Sequence, residues 1–511
     1  MERKSGRIRP AIDKESLDTA WARVFSEDAQ SALSELCAQA KDARVQEYLN
    51  AKPKRPKLRT LLTHEKPKVR KNAARLLGEL YLPGDLEALK NALFAEETRF
   101  VLPSIVLALG NAGEAAAQNL SQFAKNLPPV NRPEDEKHHA QLQEALFAAR
   151  SRCEKQQPRE FTGLKAPAEV VFTVQPGCEK LLVDEAQEKG ICLKRTPLGH
   201  VARVTDYPEL FVLRTFEEAL FPLGAIAAPR EASRQGLAEW AGAARPAAIK
   251  FLRLLSSCLS GGQAYPYRIE LRGEVGDRKA LISALVAVLG ETGGLINAPS
   301  GYDAEFRVVC QKGKAQLFAK LYVPQDPRFA YRKGAVSASI HPVNAAALMR
   351  FALPHLKEGA RVIDPCCGSG TLLIERVKLG LPVADLLGVD IDGAALDIAR
   401  KNAEAAGVSA GFVRADSTRF VPKQPFDELF ANLPFGTRVG TAKKNAVFYR
   451  GLIQQLDRLL SPDGVAVFYT TQFVPLSRLL AGANYQVVDT IRFEAGGLSP
   501  FGIIAKRKQS K

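Results

Sequence analysis

Four short segments in the C-terminal third place chemistry-bearing side chains at regular intervals: Asp364-Pro-Cys-Cys-Gly-Ser-Gly370, Gly388-Val-Asp-Ile-Asp392, Arg414-Ala-Asp-Ser417 and Asn432-Leu-Pro-Phe-Gly436. Each follows a short apolar run suited to a buried strand. In the first, Gly368 and Gly370 form a turn into a helix beginning near Thr371. Glycine removes the Cβ that would keep a ligand from the backbone, and a helix N-terminus offers amide hydrogens and positive potential to an anion. Asp364, at the strand end, can meet an amino group. Asp390, ending the second strand, can hold a ribose diol, and Asp416, after a third, can accept from an adenine-type amine. A lone Gly-x-Gly turn would be weak, and the dinucleotide pattern needs a third glycine where Leu373 stands. The ordered set is what specifies the ligand.

The fourth segment implies the acceptor. An exocyclic amine is a poor nucleophile because its lone pair is delocalised into the ring. The Asn432 side-chain oxygen can accept an amine hydrogen and so aim the nitrogen, Pro434 stiffens the loop, and Phe435 can stack on a planar base. Extracting a base from a helix into such a pocket costs a few kcal/mol.

These segments must be carried by alternating strands and helices, hence by a parallel α/β sheet. The spacing predicts a helix over 337–356, a strand closing at Ile363, a helix over 394–406 stopped by Gly407, a fifth strand in GVAVFYTT, and an antiparallel hairpin from YQVVDTIRF and FGIIAKRK at the sheet edge.

Residues 335–508 resemble class I, Rossmann-like methyltransferases dependent on S-adenosyl-L-methionine, in particular the THUMP-associated RNA guanine-N2 group, in which DPxCGSGTLLIE is characteristic; Asp364 to Glu375 match it closely. The resemblance implies that S-adenosylmethionine is held by Asp364, Cys366, Gly368, Gly370, Thr371, Asp390, Ile391, Asp416, Ser417 and Asn432. It implies that Asn432, Leu433, Pro434 and Phe435 form the catalytic loop, the Leu433 carbonyl joining Asn432 as acceptor. Cys366 and Cys367 are then packing residues rather than a catalytic thiol. Leu433 departs from the group's common proline, which leaves guanine N2 and adenine N6 both open.

Upstream the texture changes twice. In residues 50–150 apolar positions recur at the helical period, and a slide of 32 residues places Val101 on Val69, Leu109 on Leu77 and Gly110 on Gly78. A period of this size is the mark of a helical solenoid and resembles short HEAT-like repeats. Residues 1–50 read as a polar, partly helical lead-in. Lys52, Lys54, Arg55, Lys57, Arg59, Lys66, Lys68, Arg70, Lys71 and Arg75 form a basic stretch, either a phosphate-binding face or a solvated surface. Residues 151–168 read as a linker. Residues 168–330 then alternate strand-like and helical runs, with a hairpin turning at Lys312-Gly313, ahead of Tyr331 and Arg332. In layout this α+β module resembles a THUMP domain with its ferredoxin-like companion, an RNA-binding unit.

Bulk properties agree with a polyanionic partner. The chain has 511 residues, 71 Lys and Arg against 55 Asp and Glu, and a net charge of +16. No apolar run approaches the ~20 residues of a membrane helix, and the charged N-terminus has no secretory h-region, so a cytoplasmic location and no membrane partner are expected. The eight cysteines include no CxxC pair, which predicts reduced, mostly buried thiols and no metal site.

The expected organisation is therefore a helical HEAT-like region (1–155), an α+β THUMP-like module (165–332) and a Rossmann-like methyltransferase domain (335–508). The expected function is methylation of an exocyclic base amine, guanine N2 of tRNA or rRNA in the first place. Adenine N6 of DNA or RNA, a protein glutamine amide, and a non-enzymatic RNA-binding scaffold are the alternatives; the repeats also leave room for a protein partner.

Overall fold

The computed structural model describes residues 14–509, apart from 41, 52, 128, 130–132, 154–158, 230–232, 262–263, 274, 299–300, 436–441 and 495. The chain forms two compact units, Met1–Pro158 and Arg159–Lys511.

The first unit is helical. The helices Pro67–Glu79 and Leu102–Gly110, offset as the sequence repeat requires, each open with proline in the first turn, where its missing N–H costs nothing. The repeat glycines explain themselves in space. A Cβ on Gly78 would stand 3.0 Å from the Ala108 backbone, and one on Gly110 would stand 2.7 Å from the Ala149 backbone. Each glycine thus lets its helix touch the next in the series, ending at the helix Pro133–Cys153. Asn111 donates to the Gly78 carbonyl at 2.8 Å across the first of these contacts.

Two expectations change here. Residues 14–50 are no mere lead-in: the helices Lys14–Arg23, Ala29–Gln39 and Ala43–Asn50 bury Leu17, Leu33, Leu36, Val45 and Leu49 in the same core. Their leucines and valines are few but buried, which a count of polarity conceals. The basic stretch is also divided. Arg55 and Arg59 both pair with Asp85, and Arg70 pairs with Glu96 at 2.7 Å. Burial works to raise the Asp85 and Glu96 carboxyls, yet the arginines hold both below their usual range. Arg55 is a buried strut and Arg59 and Arg70 are part-buried in their ion pairs, so these three offer less charge to solvent than the remaining cations of the stretch; Lys52 lies outside the described residues.

The second unit holds two sheets. The first comprises β1 (Ala168–Thr173), β2 (Leu193–Thr196), β3 (Gly199–Val204), β4 (Glu218–Ala227), β5 (Tyr265–Gly273), β6 (Leu295–Asn297), β7 (Ala304–Gln311) and β8 (Lys314–Leu321), in the order β2-β3-β1-β4-β8-β7-β5-β6. The hairpin β7–β8 turns at Lys312-Gly313 as predicted, with Lys312 itself at positive φ. Of the expected linker, residues 159–162 are docked rather than free: Arg159 pairs with Asp303 at 2.8 Å and Phe161 bridges to Leu259.

The second sheet comprises β9 (Ala360–Asp364), β10 (Val383–Asp390), β11 (Gly411–Arg414), β12 (Phe426–Asn432), β13 (Leu460–Thr470), β14 (Tyr485–Arg492) and β15 (Phe501–Arg507), in the order β11-β10-β9-β12-β13-β15-β14. The first five are parallel, and β15 runs antiparallel between β13 and β14. Beneath it, Arg376 and Glu428 form a fully buried two-bonded ion pair, with spare guanidinium hydrogens on the Leu381 and Lys357 carbonyls. The helix expected over 337–356 begins only at Pro342, capped by His341, and its last turn, 353–355, tightens to 3₁₀. Proline drives the residue before it out of the helical region, so His341 is extended, and residues 337–338 form a turn closed by the Ser339 N–H on the Val336 carbonyl. That segment proves important.

Arg214 ties the two sheets together. It makes two bonds to Glu375 at 2.8 and 2.9 Å, and Tyr331 donates to the same buried carboxylate at 2.6 Å. Arg350 adds a second clamp on Glu188. Among the described residues no helix is long and apolar enough to cross a membrane.

Candidate active site

The strand order reverses between β9 and β12: chain order runs outward from β9 through β10 to β11, and from β12 through β13 on the other side. A crevice opens at the C-terminal ends of parallel strands at such a point. Asp364 ends β9 and Asn432 ends β12, on adjacent strands. The Cys366 thiol closes the gap, donating to the Asn432 carbonyl at 3.6 Å.

The glycine turn is shaped as expected. Gly368 and Gly370 have φ of 50° and 77°, values that favour glycine, and Gly370 starts the helix Thr371–Lys378. Asp390 fixes the turn, accepting from the Gly368 N–H at 2.8 Å and from the Asp392 N–H at 3.0 Å. Beyond it Ile391 is 68% exposed, an apolar side chain left bare at the rim of the crevice. Asp416 accepts from the Thr418 N–H and hydroxyl, which hold its carboxyl below the usual range, while Ser417 and Thr371 are buried.

Asp364 is 1% exposed and accepts from the Cys366 N–H at 3.0 Å. Burial, with a further contribution from Asp390, pushes its carboxyl up to about 8. A buried carboxylate is stable only beside a cation or several donors, so the site favours a ligand that brings a positive charge to Asp364. Burial and the same two carboxylates drive the Cys366 thiol well up, and it stays protonated. That is a packing residue's environment, not a nucleophile's.

The loop after β12 is held from three sides. The Asn432 amide donates to the Ala338 carbonyl at 2.8 Å, which anchors the side chain and leaves Oδ1 as its acceptor atom. Leu433 donates its N–H to the Tyr469 carbonyl at 3.0 Å and buries its side chain. The Pro434 carbonyl accepts from Asn445 and Tyr449. The Phe435 ring lies 5.8 Å from that of Tyr469.

Several supports were invisible in the sequence reading. Asn402, fully buried, accepts from the Lys333 and Gly334 N–H groups and donates to the Gly334 and Ser369 carbonyls. Ser339 meets Ser369 at 2.9 Å, and Val336 covers Gly368. Segment 333–341 therefore spans the glycine turn and, through Ala338, the Asn432 loop. One signal was present: Asn402 interrupts the apolar face formed by Ala395, Leu396, Ala399 and Ala403.

Residues 330–500 match the family UPF0020, described as an RMKL-like methyltransferase domain. A segment of 181 residues is 34% identical to the tRNA (guanine(6)-N2)-methyltransferase of Thermus thermophilus, covering 35% of this chain and 52% of that protein. The chain thus spans about half the length of this curated relative. A 108-residue segment is 39% identical to the ribosomal protein L11 methyltransferase of Neisseria gonorrhoeae, covering 21% of this chain and 33% of that one. The solved structure of TrmN from Thermus thermophilus superposes with a TM-score of 0.50 at 24% identity, covering 66% of this chain and 99% of TrmN. The fold of the second unit is accordingly that of a methyltransferase preceded by a further sheet module.

Proposed function

We propose that this protein is an S-adenosylmethionine-dependent RNA methyltransferase that modifies an exocyclic base amine, guanine N2 of tRNA or rRNA. The observation that carries the reading is the juxtaposition, on adjacent strand ends at the strand-order reversal, of a buried Asp364 with no cation partner among the described residues and an Asn432 anchored through its amide to Ala338.

The residues fit the cofactor. Asp364 would take its amino group, the Gly368–Gly370 turn its carboxylate, Asp390 its ribose, and Ile391, Asp416 and Ser417 its adenine. The cofactor supplies a methyl group already activated on a sulfonium, so the protein's task is orientation. Because the Pro434 carbonyl is engaged by Asn445 and Tyr449, Asn432 Oδ1 and the Leu433 carbonyl remain as the pair that accepts both amine hydrogens. They aim the nitrogen lone pair at the methyl carbon and stabilise the charge that develops as the C–N bond forms. The extra proton then leaves the nitrogen for water. Phe435, braced on Tyr469, stacks on the base.

Upstream, the eight-stranded sheet module (165–332) is read as THUMP-like and as gripping RNA by phosphate and shape. The first unit (1–155) is read as HEAT-like, its stacked helices offering a surface to RNA or to a protein. Cytoplasmic location and the domain limits, with the transferase domain at 335–508, belong to the same proposal. The net charge of +16 favours RNA over a protein substrate.

The test is incubation with labelled cofactor and tRNA, rRNA, duplex DNA and protein extract, followed by mass spectrometry of nucleosides. N2-methylguanosine supports the proposal. N6-methyladenosine would move the acceptor to adenine, and label in protein alone, or nowhere, would overturn it.

A further inference from the structure

Three buried polar side chains run from the acceptor loop into the upstream module. Tyr469, 2% exposed, braces Phe435 with its ring and Leu433 with its carbonyl. Its hydroxyl accepts from Asn344 Nδ2 at 3.0 Å. Asn344, 1% exposed, accepts on Oδ1 from Gln175 Nε2 at 2.6 Å. Gln175, 6% exposed, stands in the turn after β1, in the other sheet's module. The chain is closed by the backbone of Glu494, which donates its N–H to Gln175 Oε1 at 2.8 Å and accepts from Asn344 Nδ2 at 3.3 Å.

The polarity of this ring is not arbitrary. A backbone N–H can only donate and a carbonyl only accept, so Glu494 dictates which way both amides face. With the amides so fixed, Asn344 must present a donor to the Tyr469 hydroxyl. A layer this dry would be held as well by apolar packing, and polar groups here cost stability unless each is satisfied. What they add over apolar residues is a single permitted geometry. The Arg350–Glu188 ion pair already clamps the same helix, Pro342–Ala352, to the upstream module, so docking alone does not need the relay.

We infer that Gln175 and Asn344 are positioning residues for transfer, holding Tyr469 so that the Leu433–Phe435 loop is competent only when the upstream module is seated. The inference rests on the acceptor-loop reading above. It assigns the turn after β1 a share in catalysis although it lies outside the transferase domain.

The full-length protein is compared with Asn344→Leu, Gln175→Leu and Tyr469→Phe, the last keeping the ring and removing only the hydroxyl. Arg350→Gln is the control that breaks the interface clamp and spares the relay. Amide exchange at Leu433, which needs no substrate, is read beside kcat and KM on the methylated RNA. The relay predicts faster exchange at Leu433 and a kcat about tenfold lower in the first three variants, with cofactor affinity unchanged, and neither effect in Arg350→Gln. The Gln175→Leu/Asn344→Leu double variant should be no worse than Asn344→Leu alone. Unchanged exchange in both Asn344→Leu and Tyr469→Phe, or equal effects in Arg350→Gln, overturns the inference. If the wild type methylates no RNA, the function proposed above fails on its own, and the exchange data still decide the relay.

Discussion

At the scale of single residues, Asp364 and Asn432 are asked to do opposite things. In the proposed mechanism Asn432 acts on the acceptor and is anchored by Ala338, so Asn432→Ala should cut transfer by about 10²-fold or more while calorimetry shows cofactor affinity largely kept. Parallel loss of cofactor binding would mean the loop belongs to the cofactor site instead. Asp364 waits for a cation. Its folded carboxyl, near 8, stands above the ordinary value of 3.8, so its proton is held more tightly in the folded state. The stability linked to that proton is fully present below the ordinary value and is lost as pH rises through about 8. Without cofactor, the thermal midpoint of the wild type should therefore fall between about pH 5 and pH 9, and Asp364→Asn should flatten that fall. The same substitution should abolish cofactor binding. An identical pH profile in both proteins would show that Asp364 is not held protonated.

At the scale of elements, a helix or strand is legible where one face dominates and illegible where its partner decides. The strands β9, β10 and β12 were readable from the short apolar runs near their C-terminal ends, since parallel strands are largely buried there. The irregular segment 333–341 was not, because its role comes from contacts more than 25 residues away in sequence, to Ser369, Asn402 and Asn432. Gly78 and Gly110 could be aligned but not explained until the neighbouring helix was seen at van der Waals distance. Gly110→Ala puts a methyl against the Ala149 backbone and should destabilise the first unit by about 1–3 kcal/mol. Thermal unfolding of the intact protein should show that unit melting earlier, with cofactor affinity unchanged; no shift would remove the glycine from the packing argument.

At the scale of the whole molecule, charge and division matter most. All the residues proposed to hold the cofactor lie in the second unit, Arg159–Lys511, so a chain lacking residues 1–158 should bind cofactor as the full protein does. RNA affinity of the full protein should fall about 10³-fold between about 50 and 200 mM salt if some six phosphates are contacted. A flat salt response would point away from nucleic acid. The basic stretch contributes less than its composition suggests, since Arg55, Arg59 and Arg70 are spent on Asp85 and Glu96.

The sequence by itself determined the transferase fold and its cofactor turn. Strand ends, glycines and acidic residues are tied by chain connectivity, and their spacing survives in one dimension. Asp364, Gly368, Gly370, Asp390 and Asn432 were all named as candidates that way. Only the tertiary structure decided that Asp364 is buried with no cation partner among the described residues, that Asn402 staples segment 333–341 over the turn, and that Gln175 reaches the Leu433–Phe435 loop through Asn344 and Tyr469. Desolvation and hydrogen-bond satisfaction depend on which distant atoms surround a group, and sequence order does not carry that information.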